Sequence, residues 1–325
     1  MAGRARVVVV GSFNVDHVWR CAELPPPGAT LAGDYASSPG GKGFNQAVAA
    51  ARAGAPTAFI CALGEDAGGR QARALAAAEG LDLRAAPSDA PTGTAGIFVD
   101  ARGRNSIVIG AGANAALSPG FVAGQGEAIA AAAVVLAQLE SPVAAVTQAL
   151  RDAHAAGAIT ILNPAPANAP TSPGLLSLAD ILTPNETEFS ALLATHAGIR
   201  IDADAVAGSD DAGLHALARR LLPHGTVVLT LGASGLLVSH PSSATRGDEH
   251  DCYRLAAEAA NVVDTTGAGD TCNGALAASL ARHRQRAFRE HARFANRYAA
   301  LATERTGAAA AMPSMDDFRA RHRGD

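Results

Sequence analysis

Asp264-Thr265-Thr266-Gly267-Ala268-Gly269-Asp270 joins a short apolar run, Asn261-Val262-Val263, to a small-residue segment, Cys272 to Leu280, that reads as a helix. Gly267, Ala268 and Gly269 leave their backbone N–H groups unobstructed at the mouth of that helix. A helix N-terminus carries unpaired donors and partial positive charge, so it suits a phosphate or a developing anion. Asp270 adds a carboxylate in the same turn. Anion-stabilising donors beside a carboxylate base fit transfer of a phosphoryl group to a hydroxyl. The same residues also fit a Gly-rich loop capped by Asp, a common N-cap.

Outward from this stretch, strand-like and helix-like runs alternate. Strands are expected at Arg6–Val10, Thr57–Cys61, Val134–Gln138, Ile159–Leu162, Ile181–Leu182, Val227–Leu231 and Leu236–Ser239. Helices are expected at Gly43–Gly54, Gly68–Gly80, Gly120–Ala133, Val143–Ala156, Ala212–Leu222, Thr271–Ala281 and Arg286–Glu304. Apolar strands separated by helices predict an α/β fold, a three-layer sandwich with a mainly parallel sheet covered on both faces. Ser118-Pro119 and Ser141-Pro142 each read as an N-cap followed by proline at the first helical position. His240–Asp251 and Gly208–Asp211 read as surface loops.

Two segments break the alternation. Residues 13–38 contain Pro25-Pro26-Pro27-Gly28, and residues 92–109 read as two short strands joined by Asp100-Ala101-Arg102-Gly103, which is hairpin chemistry. Together they predict a small β-sheet lid with one apolar face. The division is then residues 1–12, 39–91 and 110–325 for the α/β domain, and residues 13–38 and 92–109 for the lid.

Composition narrows the function classes. The chain has 325 residues, 48% of them hydrophobic and 4% aromatic, with a net charge of −4. Few aromatics and no long Lys/Arg block argue against nucleic-acid binding. Cys21, Cys61, Cys252 and Cys272 are scattered, without a C-x-x-C pair, and read as reduced thiols of a cytoplasmic protein. Met1 to Arg6 leads directly into the Val7–Val10 run without a signal-peptide core. No apolar stretch is long enough to predict a membrane helix.

Further polar groups stand at expected strand ends, where open α/β sheets bind ligands. Asn14 and Asp16, two apart in an extended stretch, can point the same way and suit a sugar diol; an Asx turn fits them as well. Gly40-Gly41-Lys42-Gly43-Phe44-Asn45-Gln46 opens an Ala-rich helix, either as a ligand cradle or as a plain Gly-rich turn; it lacks Walker A spacing. Glu140 is a ligand candidate or a solvated loop charge. Thr183 to Glu186 matches a capping box with Pro184 at the first helical position, leaving Asn185 and Glu188 on one face to meet a hydrated Mg²⁺. Thr230-Leu231-Gly232-Ala233-Ser234-Gly235 is either a turn lying along a nucleotide or an ordinary hairpin. Gly110–Ala115 matches G-x-G-x-x-A, but its position after a hairpin argues against a dinucleotide fingerprint.

The order of these motifs resembles the ribokinase family of sugar kinases. The resemblance rests on Gly11-Ser12-x-Asn14-x-Asp16, Gly40-Gly41-Lys42-Gly43-x-Asn45-Gln46-Ala47, Asn163-Pro164-Ala165-Pro166, Thr183-Pro184-Asn185-Glu186-Thr187-Glu188 and Asp264 to Thr271. It runs from about residue 6 to residue 320. It implies ATP-dependent phosphorylation of D-ribose at its 5-hydroxyl; the alternatives are another, fructose-like sugar or a nucleoside on the same scaffold, or a non-catalytic sensor. By resemblance, Asp270 is the base and Gly267, Ala268, Gly269 and Asp270 form the anion hole. Asn14, Asp16, Gly40, Gly41, Lys42, Asn45 and Glu140 would hold the sugar. Asn185, Thr230, Leu231, Gly232, Ala233, Ser234, Gly235 and Asn296 would line the ATP site, next to Gly269 and Asp270. Glu188 would position Mg²⁺ through water. Asp264, Thr266, Ala302, Arg305, Gly307 and Ala311 would hold a monovalent cation, usually K⁺. The family pattern typically has serine at the Ala311 position. The resemblance also implies a homodimer formed through the lid.

Overall fold

The computed structural model describes residues 5–323. Residues 1–4, where the leader expectation falls, and residues 324–325 lie outside the described residues. Thirteen strands are described: β1 Arg6–Val10, β2 Asn14–Arg20, β3 Asp34–Gly40, β4 Thr57–Gly64, β5 Asp82–Ser88, β6 Gly93–Val99, β7 Asn105–Gly110, β8 Ala132–Gln138, β9 Ile159–Asn163, β10 Ile181–Leu182, β11 Thr226–Thr230, β12 Leu236–Ser239 and β13 Cys252–Leu255. Nine form one sheet in the order β13-β12-β11-β10-β9-β8-β1-β4-β5. It is parallel from β11 to β5, and β12 and β13 add antiparallel at one edge.

Strand β1 shows why the sheet has three layers. Val7 and Val9 enter a core with Phe44 and Leu276, whereas Val8 and Val10 enter the opposite core with Val146 and Leu150. All four valines are fully buried, as a parallel strand covered on both faces requires. The helices Lys42–Arg52 and Ala268–Arg282 pack together on the first face. Gly274 permits their approach: a Cβ there would stand 2.5 Å from both Ala49 Cβ and Gln46 O. Among the described residues no helix is long and apolar enough to cross a membrane.

The second sheet has the order β3-β2-β6-β7. Its strands β3 and β7 run to Gly40 and Gly110, slightly past the expected lid limits. One face carries Asp16, Val18, Ile97, Ile107 and Ile109, placed together by the register Val18–Ile97–Ile107. The other face is not polar, as simple alternation predicted. It stacks His17, Trp19, Tyr35 and Phe98, with Trp19 5.3 Å from both Tyr35 and Phe98.

Several local expectations need correction. Strand β5 has no expected counterpart, because Arg84, Ala85, Ala86 and Pro87 are poor strand formers; at a sheet edge proline is tolerated. Strand β13 follows the expected loop directly, and His240 at that loop's start is fully buried, bonded to Thr226 and Asp248. The helix expected at Gly120–Ala133 is two short ones, Pro119–Ala123 and Gly126–Ala130, interrupted at Gly124. Ser118 caps the first, as expected. Ser141 caps nothing: the helix Val143–Ala155 starts after Pro142, and Ser141 Oγ is buried without a partner. The capping box lies two residues later than expected. Asn185 is the N-cap of the helix Glu186–Ala197 and Glu188 its reciprocal partner.

Candidate active site

The carboxyl ends of β1, β8, β9, β10 and β11 converge beneath the start of the helix Ala268–Arg282. Gly267 begins this helix in the left-handed region, φ 75°, and no side chain caps it. A Cβ at Gly269 would meet nothing within 4 Å, and the N–H groups of Gly267, Gly269 and Asp270 have no partner among the described residues. The Ala268 N–H, expected in the anion hole, instead donates to Thr265 O at 3.2 Å. A cleft of about 170 Å³ lies there, lined by Lys42, Asn163, Thr183, Asn185, Glu188, Thr230, Gly267, Gly269, Asp270 and Asn273.

Asp270 is buried and held on both oxygens. Asn45 Nδ2 donates to Oδ2 at 2.9 Å and Gln46 Nε2 donates to Oδ1 at 2.8 Å. Gln46 also donates to Asn163 Oδ1 at 3.0 Å and accepts from Gln138, so its amide orientation is set by the network. Asn163 in turn donates to the Thr183 carbonyl at 2.9 Å. Asn45 Oδ1 is buried without a partner.

Glu140 binds the opening of the helix Lys42–Arg52. Its Oε2 accepts from Lys42 N at 2.9 Å and from Ser12 Oγ at 2.6 Å, while Ser12 O accepts from Phe44 N. A carboxylate at a helix N-terminus is stabilised there, so Glu140 caps this helix from outside. Its Oε1 accepts no hydrogen bond from a described residue. Asp16 likewise has no such partner. Burial, together with the charges of Glu140 and Asp270, pushes the Asp16 pKa up to about 7. Gly40 makes room for it, since a Cβ would fall 2.0 Å from Asp16 Oδ2; Gly41 turns the chain at φ 88°.

Lys42 projects into the cleft. Burial opposes its charge, but Asp270, Glu140 and Glu188 outweigh burial and raise its pKa above the usual lysine value. Asn14 Oδ1 accepts from Asn114 Nδ2 at 2.8 Å, and Asn114 also exchanges two bonds with the Phe13 backbone. The G-x-G-x-x-A stretch thus ties the foot of β2 to the main sheet.

On the other side of the helix mouth, Asn185 and Glu188 are tied to each other. Asn185 Oδ1 accepts from Glu188 N at 2.8 Å, and Glu188 Oε2 accepts from Asn185 N at 2.9 Å. Glu188 Oε1 has no partner among the described residues. Burial raises the Glu188 pKa, with the Asn185 N–H and Lys42 opposing. Thr230 to Gly235 forms the β11–β12 hairpin, and only Thr230 of these lines the cleft. Gly235 lies against the Leu255–Ala257 backbone, where Asn296 donates to Ala256 O at 2.7 Å. Asn296 is therefore near the hairpin's end but outside the cleft.

The cation candidates form a separate pair of loops. Asp264 accepts from Thr266 N and Gly307 N, both at 2.9 Å, and Thr303 O accepts from Asp264 N. Burial works against the Asp264 charge, but these bonds hold its carboxyl below the usual range. Ala302 and Ala311 are buried. The Arg305 guanidinium pairs with Asp317 at 2.9 Å, so only its carbonyl is left to face a cation.

A family comparison decides the class. The family described as pfkB family carbohydrate kinase matches residues 4–315. This chain belongs to that family. The Haemophilus influenzae ribokinase is 38% identical over 97% of both chains. Among solved structures, the Thermotoga maritima ribokinase has a TM-score of 0.84 at 27% identity, covering 98% of this chain and 99% of its own. An Arabidopsis thaliana ribokinase, solved in complex with ribose and ATP, has a TM-score of 0.80 at 31% identity and covers 97% of both chains.

Sequence reasoning assigned no role to Gln46, Ser12, Asn163 or Asn273. Gln46 and Ser12 lie inside quoted motifs, one residue from or two residues before assigned groups. Asn273 stands one helical turn after Asp270 and takes a bond from Thr183 Oγ1, a spacing that would have found it.

Proposed function

We propose that this pfkB family kinase transfers the γ-phosphoryl group of ATP to the 5-hydroxyl of D-ribose. The observation that carries this reading is the set of unfilled acceptors beside Asp270. Asp16, Glu140 Oε1 and Asn45 Oδ1 are carboxylate or amide oxygens that the described protein leaves unpaired. Buried acceptors without donors call for a ligand rich in hydroxyl groups. The Arabidopsis relative solved with ribose and ATP supports the choice of ligands.

In this reading Asn14, Asp16, Gly40, Gly41, Asn45 and Glu140 hold the sugar. Asp270 Oδ2 takes the 5-hydroxyl proton as that oxygen bonds to the γ-phosphorus. The bond from the γ-phosphorus to the β,γ-bridging oxygen breaks, and ADP leaves with the electron pair. The N–H groups of Gly267, Gly269 and Asp270 and the Lys42 ammonium stabilise charge on the transferring group. Lys42 was expected at the sugar, but its position among Asp270, Glu188 and Gly269 favours this task. A loose transition state asks little of the base early, so positioning supplies most of the acceleration.

Asn185, Thr230 to Gly235 and Asn296 line the nucleotide path. Glu188 suits Mg²⁺ held through water, since Oε1 is unpaired; the ion would neutralise phosphate charge there. The Asp264 carboxylate and the backbone around Ala302, Arg305 and Gly307 offer the oxygen donors that K⁺ takes, and a cation would brace the 264–270 loop. The small sheet, residues 13–38 and 92–109, serves as the lid of the remaining α/β domain. Ile107 and Ile109, about half exposed on the Asp16 face, supply the apolar surface for a two-fold partner. Four free cysteines fit a cytoplasmic enzyme.

A coupled ADP-release assay over ribose, fructose, adenosine and inosine tests the reading. Ribose should give the highest kcat/KM. Preference for a nucleoside, or ADP release independent of any acceptor, would overturn it.

A further inference from the structure

The helix Ala268–Arg282 begins at the catalytic cleft and ends at another opening in the surface. Beyond Asp270 it runs twelve more residues, about 18 Å at the usual helical rise, to Arg282. There a groove of about 680 Å³ opens between this helix end, the helix Phe288–Ala302 and the helix Met315–Arg321. The cleft over Asp270 holds about 170 Å³.

Its lining charge is one-sided. Arg282, Arg286, Arg293, Arg297 and Arg319 face it against a single carboxylate, Glu290. Arg297 pairs with Glu258 at 3.3 Å and Arg319 with Asp316 at 3.1 Å, so the cationic character rests on the other three. Arg282 donates to the Ala53 carbonyl and meets no carboxylate. Arg293 makes no hydrogen bond or ion pair with a described residue. Glu290 stands 3.5 Å from Arg286, an exposed pair of little strength. The opposite lining is apolar: Phe294 and Phe318 pack at 4.8 Å with their rings tilted by 59°, beside Met315.

We infer that this groove binds a small organic phosphate with an aromatic group, the phosphoryl forked by Arg286 and Arg293 and the ring packed against the apolar wall of Phe294, Phe318 and Met315. Guanidinium forks match phosphate oxygens two at a time, which ammonium groups do not. The volume is that of a small-molecule pocket rather than of a polymer track. No residue of the groove belongs to the catalytic cleft, so the site is additional to the one that handles ATP and ribose.

Phenyl phosphate is the probe. Calorimetry is run on the enzyme saturated with ribose and a non-hydrolysable ATP analogue, so that the catalytic cleft is filled. One phenyl phosphate per chain should bind, about tenfold more tightly than inorganic phosphate because its ring leaves water. Benzyl alcohol should not bind. The double substitution Arg286→Ala, Arg293→Ala should weaken phenyl phosphate at least about tenfold and leave kcat without it unchanged. Equal affinity for phosphate and phenyl phosphate would overturn the inference by reducing the groove to a diffuse ion atmosphere. It is also overturned by loss of binding once the cleft is filled, by unchanged affinity in the double variant, or by binding of long polyphosphate alone.

Discussion

Gln46 Nε2 donates to Asp270 Oδ1 at 2.8 Å, linking the helix that begins at Lys42 to the helix that begins at Ala268. Its second hydrogen goes to Asn163 and its oxygen to Gln138. Every polar atom of this amide is therefore engaged, and Asp270 can rotate little. Gln46→Met removes the bond with little change of volume. It should lower kcat up to about 100-fold, the penalty for a misplaced reacting group, with KM for ribose nearly unchanged. Gln46→Glu places a like charge against Asp270 and should move the acid limb of the kcat profile to higher pH. A Gln46→Met kcat within twofold of wild type would remove Gln46 from the positioning of the base.

Asp270→Asn keeps the shape and the donors around it but loses the acceptor for the hydroxyl proton. Turnover should fall roughly 10²–10⁴-fold, the usual range for a positioned acid–base group. Calorimetry should still register ribose and nucleotide binding. Near-normal kcat would reject Asp270 as the base.

The layered fold, the second small sheet and most residues lining the cleft over Asp270 were legible in the sequence, for identifiable physical reasons. Valine runs such as Val7–Val10 announce strands buried on both faces, and glycines beside polar groups mark strand ends. What escaped was set by tertiary context. Strand β5 forms because an edge tolerates Pro87, not because Arg84 to Pro87 favour extension. Ser141 has a cap's identity but faces a buried, unpartnered site. Gln46 looked like an interior helix residue, because its partners Gln138, Asn163 and Asp270 are between 92 and 224 positions away.

Asp16 gives the enzyme a pH dependence with a definite sign. Its pKa is raised to about 7 by burial and by Glu140 and Asp270, against an ordinary 3.8. A group that holds its proton more tightly when folded lowers folding stability as pH rises from about 4 through 7. Ribose hydroxyls need the ionised acceptor, so ribose affinity should strengthen from pH 6 to pH 8 and level above. Asp16→Asn should flatten both trends. Asp16→Ala should weaken ribose by roughly 1.5–3 kcal/mol per lost bond and leave a non-hydrolysable ATP analogue almost unaffected. Equal weakening of both ligands would take Asp16 out of the sugar site.

Potassium should raise activity, with an affinity limited by Ala311. The proposed ion would lie under the 264–270 loop and would touch neither ribose nor ATP. Asp264 already joins that loop to the 303–308 segment through Thr266 N and Gly307 N. An added positive charge would brace the same junction and keep the N–H groups of Gly269 and Asp270 aimed at the transferring phosphoryl. Ala311 is buried beside this junction, and its methyl group offers no oxygen. Ala311→Ser supplies a hydroxyl in almost the same volume. It should lower the potassium concentration for half-maximal activation, measured as kcat/KM for ribose in sodium and potassium buffers of equal ionic strength. Indifference of both proteins to potassium would reject the cation site. Activation of both at the same concentration would keep the site and reject Ala311 as the residue that limits it.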